Sequence, residues 1–167
     1  NKDNAESPAI KQLQSVSGIV IPGGFDVRGA EGKILAAKYA RENNIPYLGL
    51  CLGMQIMLIE FARSVLGMTD ASSTEFDKNT THPVISLLVE QLNIAQKGAT
   101  MRLGTYPCSV KPNTKAHQAY GRDMVHERHR HRYEFNNKYR SQFESAGIVF
   151  SGIYKEKDLV EIAEFTN

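Results

Sequence analysis

The sequence predicts an α/β fold, a doubly wound mixed sheet, mostly parallel, flanked by helices. Strand-like and helix-like apolar patterns alternate through the first half, both early strands run into glycine turns, and the second half is rich in short strands. In order, Gly18-Ile19-Val20-Ile21 is a short apolar run closed by Pro22-Gly23-Gly24, hence a buried strand leading into a glycine loop. Residues 33–43 carry a helical period, residues 47–50 a second strand, and residues 54–66 a second apolar helix. Such a β-α-β-α order implies parallel strands joined by crossover helices. Downstream, strands are predicted at 84–88, 101–110, 148–153 and 159–165, with a helix over 136–146 stopped by Gly147 and a hairpin tip at Lys155-Glu156-Lys157-Asp158. Residues 1–7 are polar and expected to fray.

The 167 residues are expected to form one domain, 1–167. A net charge of +2, with both signs interspersed, gives no reason to expect a nucleic-acid partner. No apolar run approaches a bilayer span, and Asn1-Lys2-Asp3-Asn4 is not a secretory signal, so the cytoplasm is the expected compartment and no membrane partner is implied. Two cysteines do not make a disulfide framework, and Cys51 and Cys108 read as thiols.

Cys51 carries the strongest local signal. Tyr47-Leu48-Gly49-Leu50-Cys51-Leu52-Gly53-Met54-Gln55 is a strand, then Gly-x-Cys-x-Gly, then an apolar helix, the pattern of a nucleophile elbow with cysteine in place of serine. The two glycines allow the sharp turn that pushes the central side chain outward. At a helix N-terminus the dipole favours thiolate over thiol. The upstream Gly23-Gly24 pair ends a strand and offers unencumbered backbone N–H groups. With the N–H of Leu52 it suits an oxyanion hole. A tight loop without a ligand is the plain alternative.

The run Arg128-His129-Arg130-His131-Arg132 admits several readings. A metal site is not expected, because no cysteine or carboxylate accompanies it at zinc spacing and alternating arginines would crowd an ion. Nucleic-acid binding lacks interleaved stacking aromatics. A solvated charged strand face needs nothing further.

Five segments occur in order: Pro22-Gly23-Gly24-Phe25, Gly49-Leu50-Cys51-Leu52-Gly53-Met54-Gln55, Ser73-Thr74-Glu75-Phe76-Asp77, Thr100-Met101-Arg102-Leu103-Gly104, and Glu127-Arg128-His129-Arg130-His131-Arg132-Tyr133-Glu134. Together they resemble the class I, triad-type glutamine amidotransferase domain of the CTP synthases, from about Val16 to Phe165. The resemblance implies a flavodoxin-like core and hydrolysis of L-glutamine through a Cys51 thioester, with the oxyanion held by the backbone of Gly24 and Leu52. Gly24, Leu52, Gly53, Met54, Gln55, Glu75 and Arg132 would bind glutamine, and Phe25 and Arg102 would contribute to a GTP response. A guanidinium fork suits the substrate carboxylate, and a carboxylate suits its α-ammonium. The glutaminase step needs no cofactor. By the same resemblance, ammonia passes to a synthetase domain of the same enzyme, absent from these residues, where Mg-ATP activates UTP, in a homotetramer activated by GTP.

Three departures qualify the match. Asp26 follows Phe25 where the family has glycine, and Lys97-Gly98-Ala99 precedes Thr100 where paired glycines are usual. The family's His-Pro-Glu, which follows its last strand, is missing, and no His-x-Glu occurs in the chain. His82-Pro83-Val84 lacks the orienting carboxylate. The domain is therefore expected to be truncated at both ends and inactive alone. Two further readings stay open: a non-catalytic glutamine-fold binding or regulatory module without its base, and another cysteine-elbow hydrolase.

Overall fold

The computed structural model describes residues 8–25, 27–87 and 101–166. Residues 1–7, Asp26, the end of the strand predicted at 84–88, the segment Lys97-Gly98-Ala99-Thr100 and Asn167 lie outside the described residues. The chain divides into two compact units, residues 1–71 and 72–167.

The first unit contains α1 (Pro8–Leu13), β1 (Ile19–Ile21), α2 (Ala30–Glu42), β2 (Tyr47–Gly49) and α3 (Leu52–Ser64). β1 and β2 are parallel, with Ile19 opposite Tyr47 and Ile21 opposite Gly49. α3 is the centre of this unit's core, with Ile56, Leu58, Ile59 and Ala62 fully buried, which explains why its sequence is apolar nearly all round. Glu60 lies buried within that helix. Its carboxylate is held bidentately by Arg41 of α2 at 2.8 and 2.9 Å, the pairing that a buried charge requires. Both helices begin earlier than periodicity predicts, α2 at Ala30 and α3 at Leu52. Their first turns contain Gly32 and Gly53, residues of poor helix propensity that tertiary packing overrides.

The second unit contains β3 (Ser72–Ser73), β4 (Pro83–Leu87), β5 (Arg102–Val110), α4 (Lys115–Tyr120), β6 (Met124–His131), β7 (Tyr133–Phe135), a 3₁₀ turn (Asn137–Tyr139), α5 (Arg140–Ser145), β8 (Ile148–Tyr154) and β9 (Leu159–Phe165). These strands form two sheets, in the orders β3-β4-β7 and β6-β5-β8-β9. β3 and β4 are parallel, whereas β4–β7, β5–β6, β5–β8 and β8–β9 are antiparallel. The α/β class and the mixed pairing match expectation, but parallel pairing among the described strands is confined to β1–β2 and β3–β4. The reason is visible at β8–β9, where the predicted hairpin tip turns the chain too sharply for a crossover, with Asp158 at φ 51°. Phe135 packs at 5.1 Å from Phe143 and 4.8 Å from Phe150 between ring centroids, and Ile85, Ile148, Leu159 and Val160 are buried in the same unit. α4 was not anticipated. Its signals were present, since the Thr114 side chain accepts from the His117 N–H and Gly121 ends the helix at φ 65°. No helix among the described residues is long and apolar enough to cross a membrane.

Candidate active site

Cys51 is the N-cap of α3 and adopts φ 55°, ψ −106°, a conformation that a non-glycine residue holds only when its surroundings over-determine it. The surroundings are two glycines without room for a side chain. A Cβ on Gly49 would meet the Gly53 carbonyl carbon at 2.5 Å and the Met54 nitrogen at 2.7 Å, and one on Gly53 would meet the Ile21 oxygen at 2.2 Å. Backbone bonds close the turn: Leu50 N–H donates to Ile21 (2.9 Å), Gly53 N–H to Leu50 (2.9 Å), and Met54 and Gln55 N–H to Cys51 (3.1 and 3.3 Å). The Tyr47 hydroxyl donates to the Gly53 carbonyl at 2.7 Å, tying β2 to the first helical turn.

The glycine loop after β1 lies against this elbow. A Cβ on Gly23 would sit 3.3 Å from the Cys51 Cβ and 3.7 Å from its Sγ, and one on Gly24 would sit 3.4 Å from Leu52 Cδ2. The structure thus brings Gly24, Cys51 and Leu52 together. Cys51 is a partly exposed thiol outside any disulfide, whereas Cys108 is fully buried on β5, where burial first and then Glu161 and Glu127 push its thiol up to about 11. Gln55 is buried and Met54 half-buried on α3. The N–H groups of Gly53, Met54 and Gln55, which the sequence places in the pocket lining, donate within the elbow to Leu50 and Cys51. Phe25 stands exposed beyond the glycine loop.

In the second unit, Glu75 sits in the turn after β3, with its N–H donating to Ser73 Oγ at 3.1 Å, and Arg132 sits between β6 and β7. Both belong to one end of the β3-β4-β7 sheet. Ser73 pairs with Ile85, Ile85 with Phe135 and Leu87 with Tyr133, so the chain leaves β3 toward Glu75 at the edge where it enters β7 from Arg132. Their charges meet at one group: the Tyr133 phenol is pushed up by burial, further by Glu75, and back by Arg132.

Along β6 the side chains alternate. His126, Arg128 and Arg130 face outward, as a solvated strand face should, but His129 and His131 turn inward. There they join Arg102, Glu134 and Glu161. Arg102 Nε donates to Glu134 at 3.0 Å, its Nη1 pairs with Glu161 at 2.8 Å, and its Cζ lies 4.8 Å from the Tyr106 ring centroid. Burial alone would lower the arginine's affinity for its proton; the two carboxylates reverse this and hold it charged. Glu134 is pushed up to about 7 by burial, against the pull of Arg102. His129 is pushed down to about 4 by burial and Arg102, and His131 to about 4 by burial, His129 and Arg102.

This corrects the sequence reading of the His/Arg run in one respect. A carboxylate does accompany it, since Glu161 arrives from β9 and places ligand atoms of His129, His131 and Glu161 within 4.8 Å of one another. The same atoms are already served by a cation, for Arg102 Nη2 lies 3.2 Å from Glu161 Oε2 and 3.3 Å from His129 Nδ1. An ion there would have to displace a guanidinium. The burial of Arg102 also means that its head group is not displayed at the surface.

A strand-to-helix cysteine elbow backed by a glycine loop on an α/β scaffold defines a class of protein. The chain belongs to the glutamine amidotransferase class-I family, whose profile matches residues 1–167. It is 57% identical over 162 residues to the CTP synthase of Moorella thermoacetica, covering 97% of this chain and 30% of that protein. To the CTP synthase of Chloroflexus aurantiacus it is 62% identical over 159 residues, covering 95% and 29%. Among solved structures it matches the glutaminase domain of Trypanosoma brucei CTP synthase with bound acivicin, at TM-score 0.83 and 36% identity, over 99% of this chain and 64% of that one. The chain thus spans under a third of the curated relatives' length.

Proposed function

We propose that this chain is the glutaminase part of a CTP synthase and that its units form one glutamine amidotransferase domain. The observation that carries the reading is Cys51 at φ 55° on the N-terminus of α3, between two glycines that admit no Cβ and against the Gly23-Gly24 loop. In this reading Cys51 Sγ attacks the side-chain amide carbon of L-glutamine. The backbone N–H groups of Gly24 and Leu52 receive the oxyanion, ammonia leaves as the C–N bond breaks, and water cleaves the thioester to glutamate. Arg132 takes the substrate carboxylate and Glu75 its α-ammonium, while Gly53, Met54 and Gln55 shape the wall behind the thiol. The role as base falls to a histidine outside these residues, since no His-x-Glu lies within them.

Ammonia then serves a synthetase domain that aminates UTP with Mg-ATP, in a cytoplasmic homotetramer activated by GTP. Identity with named CTP synthases supports that wider reading. Phe25, exposed after the glycine loop, is the side chain assigned to direct contact in the GTP response, and Arg102, buried, to an indirect part in it. The test is ammonia release from glutamine by a polypeptide of the relatives' full length, by its Cys51→Ala variant, and by residues 1–167 alone. Turnover only in the first supports the reading. Full activity of Cys51→Ala overturns the nucleophile, and equal activity of residues 1–167 places the base within them, with His82 and His129 the first to substitute.

A further inference from the structure

Arg132 is the single residue between β6 and β7, which belong to different sheets. β6 ends at His131, paired with Arg102 of β5 in the four-stranded sheet, and β7 starts at Tyr133, paired with Leu87 of β4 in the three-stranded sheet. The corner would be loose if only backbone ladders held it. A buried side chain bridges it: Arg102, whose backbone is in register with His131 on the near side, sends Nε to Glu134 on the far side at 3.0 Å. Glu134 also lies 3.9 Å from His131 Nδ1, so its carboxylate sits between the two residues that precede and oppose the bend. The other end of the guanidinium is anchored on Glu161 of β9 at 2.8 Å, and its face on Tyr106 and Tyr154 at 4.8 and 5.9 Å. Both partners of the clamp are buried, with side-chain exposures of 5% for Arg102 and 4% for Glu134. Water therefore competes weakly for it.

Resting on the reading that Arg132 binds the glutamine carboxylate, we infer that Arg102 is a positioning residue for glutamine, which clamps the β6–β7 corner through Glu134 and so aims Arg132. Nothing in this role needs Arg102 to touch substrate. A guanidinium suits it better than an ammonium, because Nε and the two Nη atoms address Glu134, Glu161 and His129 in separate directions from one rigid plane. Loss of the clamp lets the corner drift, and drift at a substrate-holding group is felt as weaker ground-state binding.

The experiment uses the full-length protein and compares Arg102→Met, Arg102→Lys and Glu134→Gln with Arg132→Ala. It reads KM and kcat for glutamine and the alkylation of Cys51 by a glutamine-mimicking electrophile and by iodoacetamide. Arg102→Met and Glu134→Gln are expected to raise KM about ten- to a hundredfold and to slow the glutamine mimic equally. Iodoacetamide, which needs no carboxylate contact, should keep its rate, and Arg102→Lys should recover only part of the loss. In an Arg132→Ala background, Arg102→Met should add nothing further, because the group it aims is gone. Unaltered KM in folded Arg102→Met, additivity with Arg132→Ala, or equal slowing of both reagents overturns the inference. If Arg102→Met does not fold, the near-isosteric Glu134→Gln decides by the same readouts. A normal KM in Arg132→Ala itself removes the glutamine reading of Arg132 and this inference with it, whereas a raised KM there beside a normal KM in Glu134→Gln removes the inference alone.

Discussion

Gly53 presses its Cα hydrogen side against the carbonyl of Ile21 so closely that a Cβ would stand 2.2 Å from the oxygen. That oxygen already accepts from Leu50 at 2.9 Å, so neither β1 nor the elbow can retreat without breaking the other. Gly53→Ala should therefore cost about 1–3 kcal/mol or more, because the atoms in the way are backbone. Gly67→Ala is the control: φ is +72° with nothing within 4 Å, and only left-handed strain of about 1–2 kcal/mol opposes it. Denaturant midpoints of the two variants check the difference. A Gly53→Ala protein at least as stable as Gly67→Ala would show that the elbow is not the tight turn described.

The two thiols should differ sharply. At pH 7.5 a thiol pushed up to about 11 is ionised in on the order of one molecule in a few thousand, against about a tenth of an ordinary cysteine, and Cys108 is buried besides. Limited treatment with a glutamine-mimicking electrophile should label Cys51 at least about a hundredfold faster, as read by peptide mapping. Comparable labelling of Cys108 would remove Cys51 from the role assigned to it.

Arg132→Ala and Glu75→Gln in the full-length protein should each weaken glutamine use by about 1.5–3 kcal/mol, roughly ten- to a hundredfold or more in kcat/KM. On the proposed reading, ammonia supplied directly would bypass the pocket, so the ratio of ammonia-dependent to glutamine-dependent product formation should rise. Unchanged glutamine kinetics in both variants would put the pocket elsewhere.

Stability should rise with pH between about 4.5 and 6.5. His129 and His131, lowered to about 4 in the fold, are protonated in the unfolded chain below about 6.5, so their contribution is present above that value and lost as the pH falls toward 4. Glu134, raised to about 7, acts in the opposite sense: its contribution is present below about 4.5 and lost as the pH rises through 7. Two protons against one leave the unfolded chain richer by about one proton, a slope of about 1.4 kcal/mol per pH unit. Urea unfolding across this range measures it. Glu134→Gln should steepen the slope, and a flat or falling profile in the unsubstituted protein would mean that the histidines are not buried neutral.

Cys51 and its two glycines were legible in the sequence because a strand, a turn and a helix that follow one another write the elbow's pattern into nine consecutive residues, and Gly23-Gly24 because the pair directly ends a strand. A glycine required by a 2.2 Å contact looks the same in sequence as one that is merely tolerated, yet the Gly-x-Cys-x-Gly spacing singled it out. The charged run at 128–132 was not legible in the same way. Period-two alternation separates Arg128 and Arg130 from His129 and His131, but which face meets solvent depends on what packs against β6. Arg102 likewise gave no sign of being buried, because its partners Glu134 and Glu161 lie 32 and 59 residues downstream. Local sequence determines turns, caps and periodicity, since these depend on residues a few positions apart. Only the tertiary fold decides which distant charges share a dry interior, because desolvation and ion pairing depend on distance in space and not along the chain.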